Sequence, residues 1–235
     1  MARRIQYRGT VGEEHHRRDA VTVRLAISVE GHTEFEFCRE VLKSHLLAFG
    51  VYLEPIIVVT QRNITGPNIK GGSISLDRFK REVRPLLYSF DHVTTLYDFH
   101  GFRDRFEGES PDALCARLAA TLENPRHFTP YLQVYEFEAL LFSAPNVIAR
   151  FLGCPIIGEV LHQAVKVCGG PEGVNDDPAT TPAKRIQAAF RQHLAQRYDK
   201  TFHGPLLAME IGLPGIRAAC PRFAVWLSRL EHLAD

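Results

Sequence analysis

Five carboxylates carry the chemistry this sequence most directly suggests: Glu30, Glu34, Asp98, Glu136 and Glu138. Glu30 closes the apolar run VTVRLAISV (21–29), Asp98 closes HVTTLYD (92–98), and Glu136 and Glu138 fall at the end of YLQVYEF (131–137). Glu34 lies four residues beyond Glu30, in the first turn of the next helix, so its carboxylate can swing back toward the same place. Glu136 and Glu138, two apart, share one face if the strand continues that far. Like charges gathered in this way raise one another's pKa or demand a cation. An oxygen-only donor set with little nearby His or Cys suits Mg²⁺ or Mn²⁺. Two such ions hold a scissile phosphate between an activated water and the leaving oxygen.

Basic residues complement the acids. The chain carries a net +1, yet 61–84 has a local excess of four positive charges, 98–138 an excess of four negative and 184–235 again four positive. An acidic centre with basic flanks is the layout of a metal-dependent phosphate-handling site. Lys184 and Arg185 open a helix, where positive charge opposes the helix dipole and an anion would relieve it. Lys184 is the better placed to stabilise charge on a scissile group. Lys200 and His203, in Y-D-K-x-x-H-G (198–204), are weaker candidates for phosphate. Other chemistries lack their motifs: Ser28 has no G-x-S-x-G around it, and no G-x-x-x-x-G-K-[ST] is present. The cysteines, five and widely spaced without a C-x-x-C, argue against a disulfide framework or a zinc knuckle.

The elements that must position these residues alternate between period two and period 3.6. Strands are predicted over 21–29, 52–60, 92–98 and 131–137, and helices from Thr33, whose T-x-x-E with Glu36 suggests a capping box, over 75–88 with a kink or early end at Pro85, and from Ser110-Pro111. Beyond Glu138 the pattern is helical, near 139–151, 156–167, 182–198, 205–211 and 221–233. This predicts an α/β fold with a mostly parallel four-stranded sheet between helices and a helical C-terminal part. The division expected is an N-terminal arm (1–21), an α/β core (22–142) and a helical part (143–235) packed on or beside it. In such sheets ligands collect at the carboxyl ends of the strands, where Glu30 and Asp98 fall.

Composition agrees with a folded, soluble, cytoplasmic protein: 45% of residues are hydrophobic and 23% charged. No apolar stretch approaches the roughly 20 residues that span a bilayer, and no signal core follows the arginine-rich start.

Strand-V-E-G-x-T-E (29–34) resembles the first motif of the Toprim fold as found in OLD-type nucleases. Together with Y-D-F-H-G (97–101), Y-E-F-E-A-L-L-F (135–142), T-P-A-K-R-I (181–186) and C-P-R-F-x-x-W-L (220–227), the chain is similar to domain-of-unknown-function family 4276 over nearly everything after residue 21. The resemblance implies a Toprim-like core that binds Mg²⁺ or Mn²⁺ and cleaves nucleic-acid phosphodiesters, DNA more readily than RNA. It also implies an AAA-type ATPase partner in anti-phage defence, with a homo-oligomer possible. Glu30 matches the Toprim glutamate that is metal ligand or general acid/base, Glu34 the second glutamate of the OLD-type motif, and Asp98 the first acid of D-x-D. His100 replaces the second acid; it could ligate Mn²⁺, and Glu136 or Glu138 could complete the shell. The alternative is a degenerate module that binds nucleic acid or an ATPase without turnover.

Overall fold

The computed structural model describes residues 22–61, 69–70, 74–174 and 178–235. The expected arm (1–21), the loop glycines 66, 71 and 72, and Asp176-Asp177 lie outside the described residues.

Alternating apolar residues make β1 (Val23–Val29) a strand buried on both faces: Leu25, Ile27 and Val29 enter one hydrophobic cluster and Ala26 the other. A helical run follows it, α1 (His32–Phe37), a π-type turn (Cys38–Leu42) and α2 (Lys43–Leu47). The chain returns as β2 (Val51–Ile57), which pairs with β1 in parallel. A small antiparallel pair, β3 (Val59–Gln61) and β4 (Ile69–Lys70), precedes α3 (Leu76–Val83). A 3-10 turn over Arg84–Tyr88 replaces the last part of the predicted helix, because Pro85 cannot donate the bond that would continue it. Then β5 (His92–Asp98) joins the other side of β1, again in parallel. After α4 (Pro111–Thr121), which Ser110 caps by accepting the Ala113 N–H, come β6 (Phe128–Thr129) and β7 (Leu132–Gln133), both parallel to β5. The strand order is β2-β1-β5-β6, with β7 also on β5.

The fourth strand is therefore not the continuous 131–137 run that its alternation predicts. Pro130 lacks the N–H that a ladder needs, so pairing breaks between β6 and β7. The Thr95 hydroxyl fills the gap, accepting the Tyr131 N–H at 2.9 Å and donating to the Tyr131 carbonyl at 2.8 Å. Pairing stops at Gln133 because its partner, Asp98, is the last residue of β5. Tyr135 takes a left-handed backbone conformation (φ 71°), and Phe137–Ser143 forms a 3-10 helix. Glu136 and Glu138 consequently do not share a strand face.

Helices fill the rest: α5 (Pro145–Phe151), α6 (Pro155–Cys168), α7 (Pro182–His193), α8 (Lys200–Ala219) and α9 (Pro221–Glu231). α7 stops at His193 rather than 198. α8 is nearly three times the predicted length, bent where Gly212 leaves helical geometry (φ 74°) ahead of Pro214. Leu207, Ile216, Phe223 and Leu230 of α8 and α9 share one cluster with Phe37 and Leu42, so the C-terminal helices cover the same sheet face as α1. Phe79 of α3 and Leu114 and Leu118 of α4 cover the other. No helix among the described residues is long and apolar enough to cross a membrane.

Candidate functional site

Neighbouring parallel strands carry Glu30 and Asp98 to the same end of the sheet. There the Asp98 backbone N–H donates to Glu30 Oε2 at 3.3 Å. The turn after Glu30 is tighter than the T-x-x-E pattern suggests: α1 is capped at Gly31, not Thr33. In that frame Glu34 is the third helical residue, and its carboxylate turns back to accept the N–H of Gly31 as well as its own. This is the reaching-back half of a capping box, shifted from the predicted Thr33/Glu36 pair. It also holds the Glu34 side chain inside, only 6% exposed.

Glu138 reaches the same pocket from the 3-10 helix. It is 2% exposed and accepts a hydrogen bond from the Tyr198 hydroxyl at 3.4 Å. Glu136 turns the other way, accepting the Ala183 N–H at 3.0 Å at the start of α7. The anion that the sequence pattern calls for at this helix N-terminus is thus supplied in part by the protein.

Electrostatics tie four of the carboxyls together. Burial first, and then the neighbouring Glu34, push Glu30 up to about 7. Burial lifts Glu138 to about 7 as well, with Glu136 and Glu34 adding to it. Burial raises Glu34, and burial with Glu34, Glu30 and Glu138 nearby drives Asp98 well above the usual carboxylate range. Lys200 opposes the rise at all four. Its own pKa is lowered by burial but raised on balance by Glu138, Glu34, Asp98 and Glu136. The cation in the pocket is therefore Lys200, which the sequence pattern ranks below Lys184. The Lys184 side chain is exposed, its backbone N–H facing the Thr181 hydroxyl. Arg185 folds back, its Nε donating to the Thr180 carbonyl at 2.8 Å. His100 lies flat on Tyr135, centroids 4.8 Å apart and planes 14° from parallel, with a pKa lowered by burial and by Arg105.

The donor set fits a hard divalent cation in chemistry: carboxylate oxygens, one of which, Asp98 Oδ1, is buried without a hydrogen-bond partner among the described residues. In spacing, no group of three or more His, Cys, Asp or Glu among the described residues stands ready to hold a metal. The hydrogen bonds explain this, since Glu30, Glu34 and Glu136 are each turned onto a backbone N–H.

A family model described as a domain of unknown function (DUF4276) matches residues 29–231. The chain belongs to that family. No curated protein and no solved structure matches it. The match takes in every carboxyl of the pocket, from Glu30 to Glu138, and the whole helical part of this DUF4276 chain up to Glu231.

Two residues at the DUF4276 pocket escape sequence reasoning. Tyr198 lies in the quoted Y-D-K-x-x-H-G segment but meets Glu138 only through the fold. Gly101 belongs to Y-D-F-H-G, and its role is spatial: a Cβ there would stand 3.1 and 3.2 Å from the two Glu30 carboxylate oxygens. Gly101→Ala is expected to displace the Glu30 carboxylate while leaving the far-ultraviolet circular dichroism unchanged. If Glu30 works in catalysis, activity should fall about tenfold to a hundredfold, the scale at which small misplacements act. Wild-type turnover in this variant would show that Glu30's position does not matter.

Proposed function

We propose that this protein is a divalent-metal-dependent nuclease of Toprim type, with Mg²⁺ or Mn²⁺ as cofactor. One observation carries the reading: buried Glu34 and Glu138 and part-buried Glu30 and Asp98 gather at the end of the sheet where β1 and β5 finish, with Lys200 the lysine that faces them among the described residues. Buried like charges at this density call for a counter-cation. Glu30 and Asp98 would hold such an ion and Glu138 would complete the oxygen set; when bound it would supply Lewis-acid activation of a phosphoryl oxygen and of a water. Glu34, raised in pKa by burial, takes the proton of the attacking water or adds a ligand. Lys200 meets the non-bridging oxygens of the scissile phosphate, and Lys184 and Arg185, at the α7 start beside Glu136, meet the strand further out. Supercoiled plasmid, linear DNA and tRNA, each incubated with EDTA, Mg²⁺ or Mn²⁺, test this. Metal-dependent products that vanish in Glu30→Gln are expected; cleavage retained by Glu30→Gln sinks the assignment. DNA is the expected substrate, and the setting we infer is cytoplasmic, as effector of an anti-phage module driven by an AAA-type ATPase partner.

A second reading is favoured by two specific observations, His100 in place of a second acid and the lack of ligand-ready spacing among the described carboxyls. On that reading the domain binds nucleic acid or its ATPase without turnover, and every arm of the assay stays uncut, with or without the partner.

A further inference from the structure

The closing segment C-P-R-F-x-x-W-L (220–227) takes no part in the carboxylate pocket. It lines a separate cavity of about 440 Å³ between α4, β6 and α9, whose walls include Asp112, Cys115, Tyr131, Arg222, Trp226 and Arg229. Tyr131 and Trp226 stack with centroids 4.6 Å apart and planes 16° from parallel. Their polar ends are satisfied elsewhere, the Tyr131 hydroxyl donating to Gln133 Oε1 at 2.7 Å and the indole N–H to Thr94 Oγ1 at 2.9 Å. What they give the cavity is apolar wall, continued by Pro130 and Val225. Burial pushes the Cys115 thiol up to about 12, so it adds no charge.

The charged lining is two guanidiniums and one carboxylate, an excess of one positive charge. Arg222 and Arg229 are seven residues apart and so lie on one face of α9. Arg222 Nη2 donates to Asp112 Oδ1 at 2.7 Å, whereas Arg229 makes no ion pair among the described residues. The Arg222 Nε–H is buried and has no hydrogen-bond partner among the described residues. That donor is closed to solvent, so an incoming anion meets Arg222 at its Nη atoms. Asp112 is 80% exposed, so its hold on Arg222 is a surface ion pair, of the kind an incoming anion readily displaces.

We propose that this cavity binds a small anion bearing a planar ring, a nucleoside monophosphate by size. Its phosphate takes Arg222 in the two-point manner a guanidinium allows and draws on Arg229, while its ring lies against the apolar wall. The volume falls within the range of small-molecule sites. The inference is independent of the nuclease reading, since none of these residues belongs to the carboxylate pocket.

Calorimetric titration of the full chain in EDTA, with adenosine 5′-monophosphate, inorganic phosphate and adenosine as separate probes, tests it. The monophosphate is expected to bind, phosphate to bind more weakly, and adenosine to give no heat. Arg222→Gln and Arg229→Gln should each weaken the monophosphate by about tenfold or more, and Asp112→Asn, which frees Arg222, should tighten it by about tenfold. Circular dichroism of the variants confirms that they are folded, and the two arginine variants stand in for each other if one is not. No binding by either wild type or Asp112→Asn overturns the proposal. So does binding that both arginine variants retain, and equal affinity for phosphate and the monophosphate overturns the ring assignment.

Discussion

Asp98→Asn is expected to make the protein more stable and less active at once. Asp98 sits among Glu30, Glu34 and Glu138, and its Oδ1 is buried without a partner among the described residues. The amide keeps the shape and cannot ionise, so the cost of a carboxyl that must either take up a proton or stand as a charge beside Glu34, Glu30 and Glu138 disappears, while the Asp98 N–H to Glu30 bond, made by the backbone, stays. In EDTA the melting temperature should rise, each kcal/mol gained being about 2–4 °C for a chain of this size. If the pocket binds a catalytic cation, cleavage should drop by about a hundredfold or more with the loss of a ligand. Functional sites carry such trade-offs because they hold charges that the fold alone would not. A destabilised Asp98→Asn protein would mean that Asp98 is structural, and a stabilised one with undiminished cleavage would remove it from the metal shell.

Without divalent ions, stability is expected to fall as pH rises from about 5 to about 7.5. Glu30 and Glu138 titrate near 7 when folded, against an ordinary value of 4.5. A carboxyl raised on folding contributes stability that is complete below its unfolded pKa and is lost as pH rises through the folded one. His92 works in the opposite sense over a lower window: burial holds it at about 4 against 6.5, so its contribution is present above 6.5 and is lost as pH falls toward 4. Between pH 4.5 and 6.5 His92 offsets one of the two acids, and from 6.5 to 8.5, where His92 is nearly silent, Glu30 and Glu138 lose about 1 kcal/mol each before coupling between them is counted, the larger part of their loss having come below 6.5. Urea denaturation in EDTA at pH 5.5, 6.5 and 7.5 should show this decline. Glu30→Gln should flatten it, and millimolar Mn²⁺ should offset it by favouring the ionised, folded form. A stability that holds level from 5.5 to 7.5 in EDTA would mean that the carboxyls do not share one pocket in solution.

How much of this is legible in the sequence differs from element to element. β1 and β5 are readable because each is an apolar, β-branched run closed by an acid, so the local pattern alone puts Glu30 and Asp98 at the strand ends. The Ser110-Pro111 cap is equally plain, since both signals act within four residues. The fourth strand misleads because its alternation is real, whereas its length is set by β5, which ends at Asp98 and leaves nothing to pair with Tyr135. Glu136 and Glu138 go separate ways for that reason. Lys200 is undervalued by its local pattern because its partners come from three other stretches of chain, and nothing nearby in the sequence encodes them. The capping frame slips from Thr33 to Gly31 because the turn after Glu30 is tighter than side-chain preference alone indicates.

The broken fourth strand has a consequence for how this molecule behaves in a crowded cell. An open sheet edge is a template on which another chain can extend the ladder, the route to edge-to-edge aggregation. Here the outer positions are two residues, then Pro130 and Tyr131, then two more, and the Thr95 hydroxyl rather than a backbone ladder bridges the interval. Trp226 of α9, hydrogen-bonded to Thr94, covers the same side. An incoming strand finds no more than two consecutive positions in register at this edge, so the irregularity that hides the fourth strand from its own sequence pattern also denies strangers a place to pair there.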